Sequence, residues 1–200
     1  MTDASQLYLM TPAGAQAHAL GPMLAEVMDR FAPSCLRIRS GGEEDELGRL
    51  ADMAREIAHA RDVAVVIDDH VKLALRHGLD GVHLNDGARS VRYARKELGD
   101  DAIVGAFCGA SRHEGMNAAE AGADYVSFGP IGDSALYKNE VVDLELFQWW
   151  SEMIEVPVVA EGAITRDLIA QLSPISDFIA LGPEIWTQDD PIAALSQIWA

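Results

Sequence analysis

Short apolar runs alternate with amphipathic stretches along the whole chain. The stretch 63–84, VAVVIDDHVKLALRHGLDGVHL, shows the pattern in compact form. Ala64-Val65-Val66-Ile67 is a continuous, largely β-branched run, the mark of a strand buried on both faces. Asp68-Asp69 then puts two carboxylates at its C-terminal end. Val71, Leu73, Ala74 and Leu75 carry a short helix, which Gly78 ends as a C′ residue does. Asp80-Gly81-Val82-His83-Leu84 opens the next strand.

The same alternation predicts further strands over 7–10, 35–39, 103–106, 125–128, 156–160 and 178–181. Between them, Leu20, Met23, Leu24, Val27, Met28 and Phe31 recur at helical spacing, and Pro22 suits only a first turn, so this helix is expected to start there. Leu47, Leu50, Ala51, Ala54, Ile57 and Ala58 line a second helix. Ser90 and Ser111 are N-cap positions for two more, and helices follow over 144–150, 165–172 and 191–199. Eight strand–helix units in succession imply parallel pairing with right-handed crossovers. The expected fold is α/β, a single (β/α)8 TIM barrel with residues 1–200 as one domain.

A weak internal repeat agrees. His77-Gly78-Leu79-Asp80-Gly81-Val82 matches Ala121-Gly122-Ala123-Asp124-Tyr125-Val126, and Ser176-Asp177-Phe178-Ile179 is a fainter copy. Asp80, Asp124 and Asp177 thereby fall at the amino ends of strands, where a barrel keeps its stabilising residues. Ligands sit at the opposite, carboxyl ends, so Asp68 and Asp69 are where chemistry is sought.

Composition narrows the partners. A net charge of −17 leaves no broad basic surface, which argues against nucleic acid and acidic membranes. No apolar run is long enough to span a bilayer, and the first residues carry neither a basic region nor an apolar stretch, so a cytoplasmic location is expected. Cys35 and Cys108 both lie in apolar, strand-like contexts and read as buried structural thiols.

Five segments carry a resemblance. Leu7-Tyr8-Leu9-Met10-Thr11 is similar to L-Y-L-I-T, Ile67-Asp68-Asp69-His70-Val71 to I-N-D-R-V, and Gly78-Leu79-Asp80-Gly81-Val82-His83-Leu84 to G-A-D-G-V-H-L. The stretch 119–131, AEAGADYVSFGPI, is close to A-E-A-G-A-D-Y-V-G-F-G-P-I, and 156–164, VPVVAEGAI, to V-P-V-V-A-I-G-G-I. In this order they resemble thiamine phosphate synthase and its relative the thiazole tautomerase, small β/α barrels of about this length. The resemblance implies a transferase of thiamine biosynthesis that joins an aminopyrimidine-methyl diphosphate to a thiazole phosphate and releases pyrophosphate. It implies Mg2+ as cofactor and phosphorylated thiazole and pyrimidine molecules as partners; a homodimer through Trp-bearing helices is an arrangement left open.

Carried over by position, the resemblance makes Asp69 a magnesium ligand. Ala88 stands where the second aspartate belongs, and Asp86 is the nearby substitute. Asp68 replaces an Asn that contacts the pyrimidine, an added negative charge that is unfavourable unless a metal neutralises it. Arg37 and Arg39, on one side of their strand, are expected to grip the diphosphate, with Lys138 reaching from the loop after the sixth strand. Ser134 in that loop is assigned to substrate, and Phe107 replaces a substrate-contacting Ser. Gly162-Ala163 and Leu181-Gly182, at the ends of the seventh and eighth strands, are expected to hold the thiazole phosphate through backbone N–H groups. Glu161 beside them is unfavourable for an anion unless strand alternation turns it away. Pro130 occupies the place of the tautomerase histidine, which counts against that activity. Two alternatives remain: a catalytically degenerate barrel that binds a phosphorylated ligand, and a tautomerase-like isomerase with His83 or Glu161 as base.

Overall fold

The computed structural model describes residues 5–132 and 141–199. Eight strands, β1 (Gln6–Met10), β2 (Cys35–Ile38), β3 (Ala64–Asp68), β4 (Gly81–Leu84), β5 (Ile103–Phe107), β6 (Tyr125–Phe128), β7 (Val158–Glu161) and β8 (Phe178–Leu181), pair in sequence order into a closed parallel barrel. Outside lie α1 (Ala17–Phe31), α2 (Glu44–His59), α3 (Val71–His77), α4 (Val91–Leu98), α5 (Arg112–Ala121), α6 (Leu144–Met153), α7 (Arg166–Leu172), α8 (Pro183–Trp186) and α9 (Pro191–Trp199). The fold is the (β/α)8 barrel that the alternation predicts.

Two details depart from the sequence pattern. Helix α1 begins at Ala17, ahead of Pro22. Its first turn is anchored from outside: the Ala17 N–H donates to Glu46 Oε1 at 2.9 Å, while the Gln16 carbonyl accepts from Ala19 and Leu20. These bonds hold the first turn ahead of Pro22, whose missing N–H forfeits one backbone bond within the helix. Helix α8 is too short to carry a periodic pattern of its own.

The aspartate repeat has a physical basis at the amino ends of the strands. Asp80, Asp124 and Asp177 each accept a backbone N–H from a neighbouring strand, those of Val65 (2.6 Å), Val104 (2.7 Å) and Val158 (2.8 Å). Their own N–H groups return bonds to the carbonyls of the same residues. The Ser34 N–H makes the equivalent bond to the Leu7 carbonyl, so the pattern recurs in each quarter of the barrel.

Sheet–helix packing forms the larger core, with Leu9, Leu24, Leu36, Ile38, Leu50, Phe128, Phe147 and Trp150 almost fully excluded from solvent. Trp150 is therefore a packing residue, and its indole N–H donates to the Val156 carbonyl. A second cluster fills the barrel itself. With a shear of about eight residues per circuit, register advances by about one residue per strand at constant height, and alternate strands share layers. From the observed register the layers run Cys35, Gly81, Tyr125 and Phe178; then Tyr8, Val66, Gly105 and Val159; then Arg37, His83, Ser127 and Ala180. Met10, Asp68, Phe107 and Glu161 form the layer at the carboxyl ends. Gly105 makes this stacking possible: a Cβ there would sit 2.0 Å from the Tyr125 ring. The ring instead crosses that space, and its hydroxyl reaches His83 Nδ1 at 2.9 Å and the Tyr8 hydroxyl at 2.7 Å.

Candidate active site

Arg37 rises from the third layer into the mouth of the barrel and is 3% exposed. Its Nε donates to Asp68 Oδ1 at 2.5 Å, Nη1 to Glu161 Oε2 at 3.0 Å and Nη2 to Asn85 Oδ1 at 3.1 Å. Burial opposes the guanidinium charge, but Glu161 and Asp68 outweigh it and push the Arg37 pKa upward. The counter-charge of Asp68 is therefore Arg37 rather than a metal. Glu161 is not turned away from the site: alternation with Val159 points it into the barrel. Arg37 spends three donor atoms on protein acceptors instead of standing free for a diphosphate.

Asn85 extends this network outward. Its N–H and Nδ2 donate to the two oxygens of Asp69, both at 2.8 Å. Asp69 sits at φ 54, a left-handed conformation that Asp adopts more readily than most residues. Exposed Asp69 and Asp86 line one cleft of about 320 Å3 with Leu84, Asn85, Ser90 and Tyr93, at the carboxyl ends of β3 and β4. Asp86 accepts from the Ser90 hydroxyl at 2.6 Å. Among the described residues no group of three or more His, Cys, Asp or Glu side chains is poised to hold a metal. Two carboxylates on one cleft nevertheless suit Mg2+, which keeps several waters and completes its shell with substrate phosphates.

At the ends of β7 and β8 the backbone turns sharply, with Gly162 at φ 89 and Ala163 at φ 54. The Gly162 carbonyl accepts from Ile131 and Gly132, tying the loop after β6 to the loop after β7. Gly182 lies at the end of β8 as expected, and its N–H donates to Glu184 Oε2 at 3.0 Å from the short α8 that follows. Glu184 Oε1 accepts from the Ile164 N–H at 3.3 Å. A carboxylate of this chain thus bridges the two strand ends where barrels commonly bind phosphate. Leu181 is fully buried in the sheet–helix core and offers only backbone.

Arg39 lies just past β2, half-buried, with its backbone N–H on Thr11 Oγ1. Ser134 and Lys138 lie outside the described residues. Cys35 and Cys108 are free and buried, and burial pushes both thiols up to about 12. His83 is fully buried and held uncharged by burial and then by Arg37; its Nε2 and the Ser127 hydroxyl have no hydrogen-bond partner among the described residues. Motif matching passes over Asn85 and Glu184, and it notes Glu161 only as a hindrance to an anion or as a base, not as the second partner of Arg37. A first-turn acid beside Pro183 was the one visible signal for Glu184.

The model of the thiamine monophosphate synthase family matches residues 7–184. The thiamine-phosphate synthase of Rhodospirillum centenum is 39% identical over 202 residues, covering 98% of this chain and 96% of that protein. That of Erythrobacter litoralis is 39% identical over 196 residues, covering 94% and 92%. Among solved structures, the thiamine phosphate pyrophosphorylase from Pyrococcus furiosus superposes with a TM-score of 0.81 at 23% identity, over 96% of this chain and 92% of that one, and shares the fold. On the length and identity of these matches, the chain belongs to the thiamine monophosphate synthase family.

Proposed function

We propose that this chain is a thiamine-phosphate synthase, a transferase that joins an aminopyrimidine-methyl diphosphate to a thiazole phosphate and releases pyrophosphate. Beside family membership, the observation that carries the reading is the pair Asp69 and Asp86 on one cleft at the carboxyl face, linked through Asn85 to the buried Arg37 cluster.

In this reading Asp69 and Asp86 would hold Mg2+, which when bound neutralises the diphosphate and eases its departure. Arg39 and Lys138 take the diphosphate oxygens, and Ser134 contacts substrate from the same loop as Lys138. Arg37 is a positioning residue that fixes Asp68, Glu161 and Asn85 around the mouth. The turn at Gly162 and Ala163 and the Leu181-Gly182 backbone receive the acceptor's phosphate, which displaces Glu184 from the Gly182 N–H. The C–O bond to the diphosphate breaks with its electron pair, and the thiazole nitrogen supplies the pair for the new C–N bond. Holding both partners in one mouth turns their encounter into an intramolecular step.

Titration of magnesium into the protein with both substrates, following pyrophosphate, tests the proposal. Release is expected to need both substrates and the metal, and to fall at least tenfold in Asp69→Ala, about 1.4 kcal/mol of transition-state stabilisation. Full activity without a divalent cation overturns it. A second reading, binding without turnover, draws support from Arg37, whose Nε, Nη1 and Nη2 are held by Asp68, Glu161 and Asn85 rather than free for a diphosphate. It predicts that thiazole phosphate raises the melting temperature while no pyrophosphate appears.

A further inference from the structure

Asp68, Phe107 and Glu161 depart from the family motifs at three separate places in the sequence, yet they come together in the single layer at the carboxyl end of the barrel. Asp68 on β3 and Glu161 on β7 face each other across that layer and share one guanidinium, that of Arg37. Two carboxylates against one cation leave one formal negative charge in a largely buried space. The groups beneath do not balance it. Burial keeps the Tyr8 and Tyr125 phenols protonated and His83 uncharged. Among the described residues no second cation pairs with these carboxylates, and beside Arg37 only the Ser40 N–H, at 3.3 Å from Asp68 Oδ2, donates to them, so a cation or strong N–H donor entering from the open end would find a favourable place.

Phe107 adds a second, independent demand. It is half-buried, belongs to neither hydrophobic cluster and makes no aromatic pair among the described residues. Strand alternation sets it on the inward side, above Gly105. A half-buried aromatic ring on the inward side of the layer that holds two carboxylates suits a flat, electron-poor ring that carries N–H donors on its edge.

We propose that Glu161 and Phe107 are the specificity-determining residues of the mouth: Glu161, with Asp68 opposite, accepts from the amino group of an aminopyrimidine, and Phe107 stacks on its face. The choice of an aminopyrimidine rests on the synthase reading; the demand for a planar ring with an N–H donor on its edge does not. The contact also strengthens during the reaction. As the C–O bond breaks and its electron pair leaves on the diphosphate oxygen, positive charge spreads onto the ring and its amino nitrogen. The hydrogen bond to Glu161 becomes more strongly charge-assisted at that moment, so Glu161 favours the transition state over the ground state.

Calorimetric binding to the full chain tests this with 4-amino-5-(hydroxymethyl)pyrimidine and the same ring bearing hydrogen in place of the amino group. Wild type is expected to bind the amino ring about tenfold tighter or better, as a charge-assisted bond allows. Glu161→Gln is expected to reduce that preference below about threefold. Phe107→Ser is expected to weaken both rings by the same factor, about tenfold, because stacking does not sense the amine. A wild type that does not prefer the amino ring, or a Glu161→Gln variant that keeps the full preference, overturns the proposal. If Glu161→Gln does not fold, the wild-type comparison and Phe107→Ser decide it. Neither ring carries a diphosphate, so the outcome separates from turnover. Pyrophosphate release without amino preference removes this assignment and leaves the synthase reading standing; amino preference without release does the reverse.

Discussion

Replacing Arg37 by Met removes the one cation that two inward carboxylates share. Met fills a similar length but donates nothing, so Asp68 and Glu161, with side chains 7% and 12% exposed, would face each other without a partner. Solvent screens groups this enclosed only weakly. Breaking a buried ion pair by deleting one member typically costs about 3–5 kcal/mol, because the remaining charge keeps its desolvation penalty. For a chain of this size about 1 kcal/mol shifts the midpoint by about 2–4 °C, so Arg37→Met should melt about 6–20 °C below wild type. Scanning calorimetry at neutral pH measures it. The triple variant Arg37→Met, Asp68→Leu, Glu161→Ile should recover most of the loss, since apolar residues of similar volume often substitute for a buried ionic cluster without penalty. A single variant within 2 °C of wild type, or a triple variant no more stable than the single, refutes the reasoning.

Three other perturbations probe separate parts of the molecule. Asp124→Ala leaves the Val104 N–H at the base of β5 without its acceptor and deletes an ion pair to Arg95, so about 1–3 kcal/mol of stability should be lost in urea denaturation while activity is unchanged. The depressed His83 pKa means that the unfolded chain binds a proton that the folded one refuses, so this contribution is complete above the unfolded value of about 6.5 and is lost as pH falls toward the folded one. His83→Gln should accordingly flatten the acid limb of a stability–pH curve, and an unchanged limb would contradict it. Glu184→Ala should free the N–H groups of Gly182 and Ile164 and tighten thiazole phosphate binding by about tenfold, about 1.4 kcal/mol in calorimetry; weaker binding would show that Glu184 shapes the loop rather than filling it.

The barrel was legible because each strand is written twice, as an apolar run and as the break that follows it. Gly78 ends α3 at φ 61, and the Asp80 class of residue then turns the chain into the next strand. Local signals of this kind need no knowledge of distant partners. The mouth depends on such knowledge. Asp68 reads as a misplaced charge until β2 brings Arg37 beside it, 31 residues away in sequence, and Glu161 reads as hostile to an anion until it reaches the same guanidinium across 124 residues. Glu184 sits two residues from the N–H it accepts, yet its second bond, to Ile164, exists only because β7 and β8 are neighbours. Motif position located the carboxyl-end loops; which donors there are already taken follows from barrel closure.

The aspartate clasps at the amino ends also bear on the order in which the barrel is assembled. Asp80, Asp124 and Asp177 lie only 15, 20 and 19 residues beyond the N–H groups they accept, so each clasp closes a short loop and secures one strand–helix–strand segment at little entropic cost. The seam between β1 and β8, where Leu7 pairs with Ile179, joins segments from opposite ends of the described chain. Local contacts form early and distant ones late, so the clasped segments should be the first native structure to appear and that seam the last. The chain would then fold as a succession of small closed units, each holding its own shape before the ring is complete.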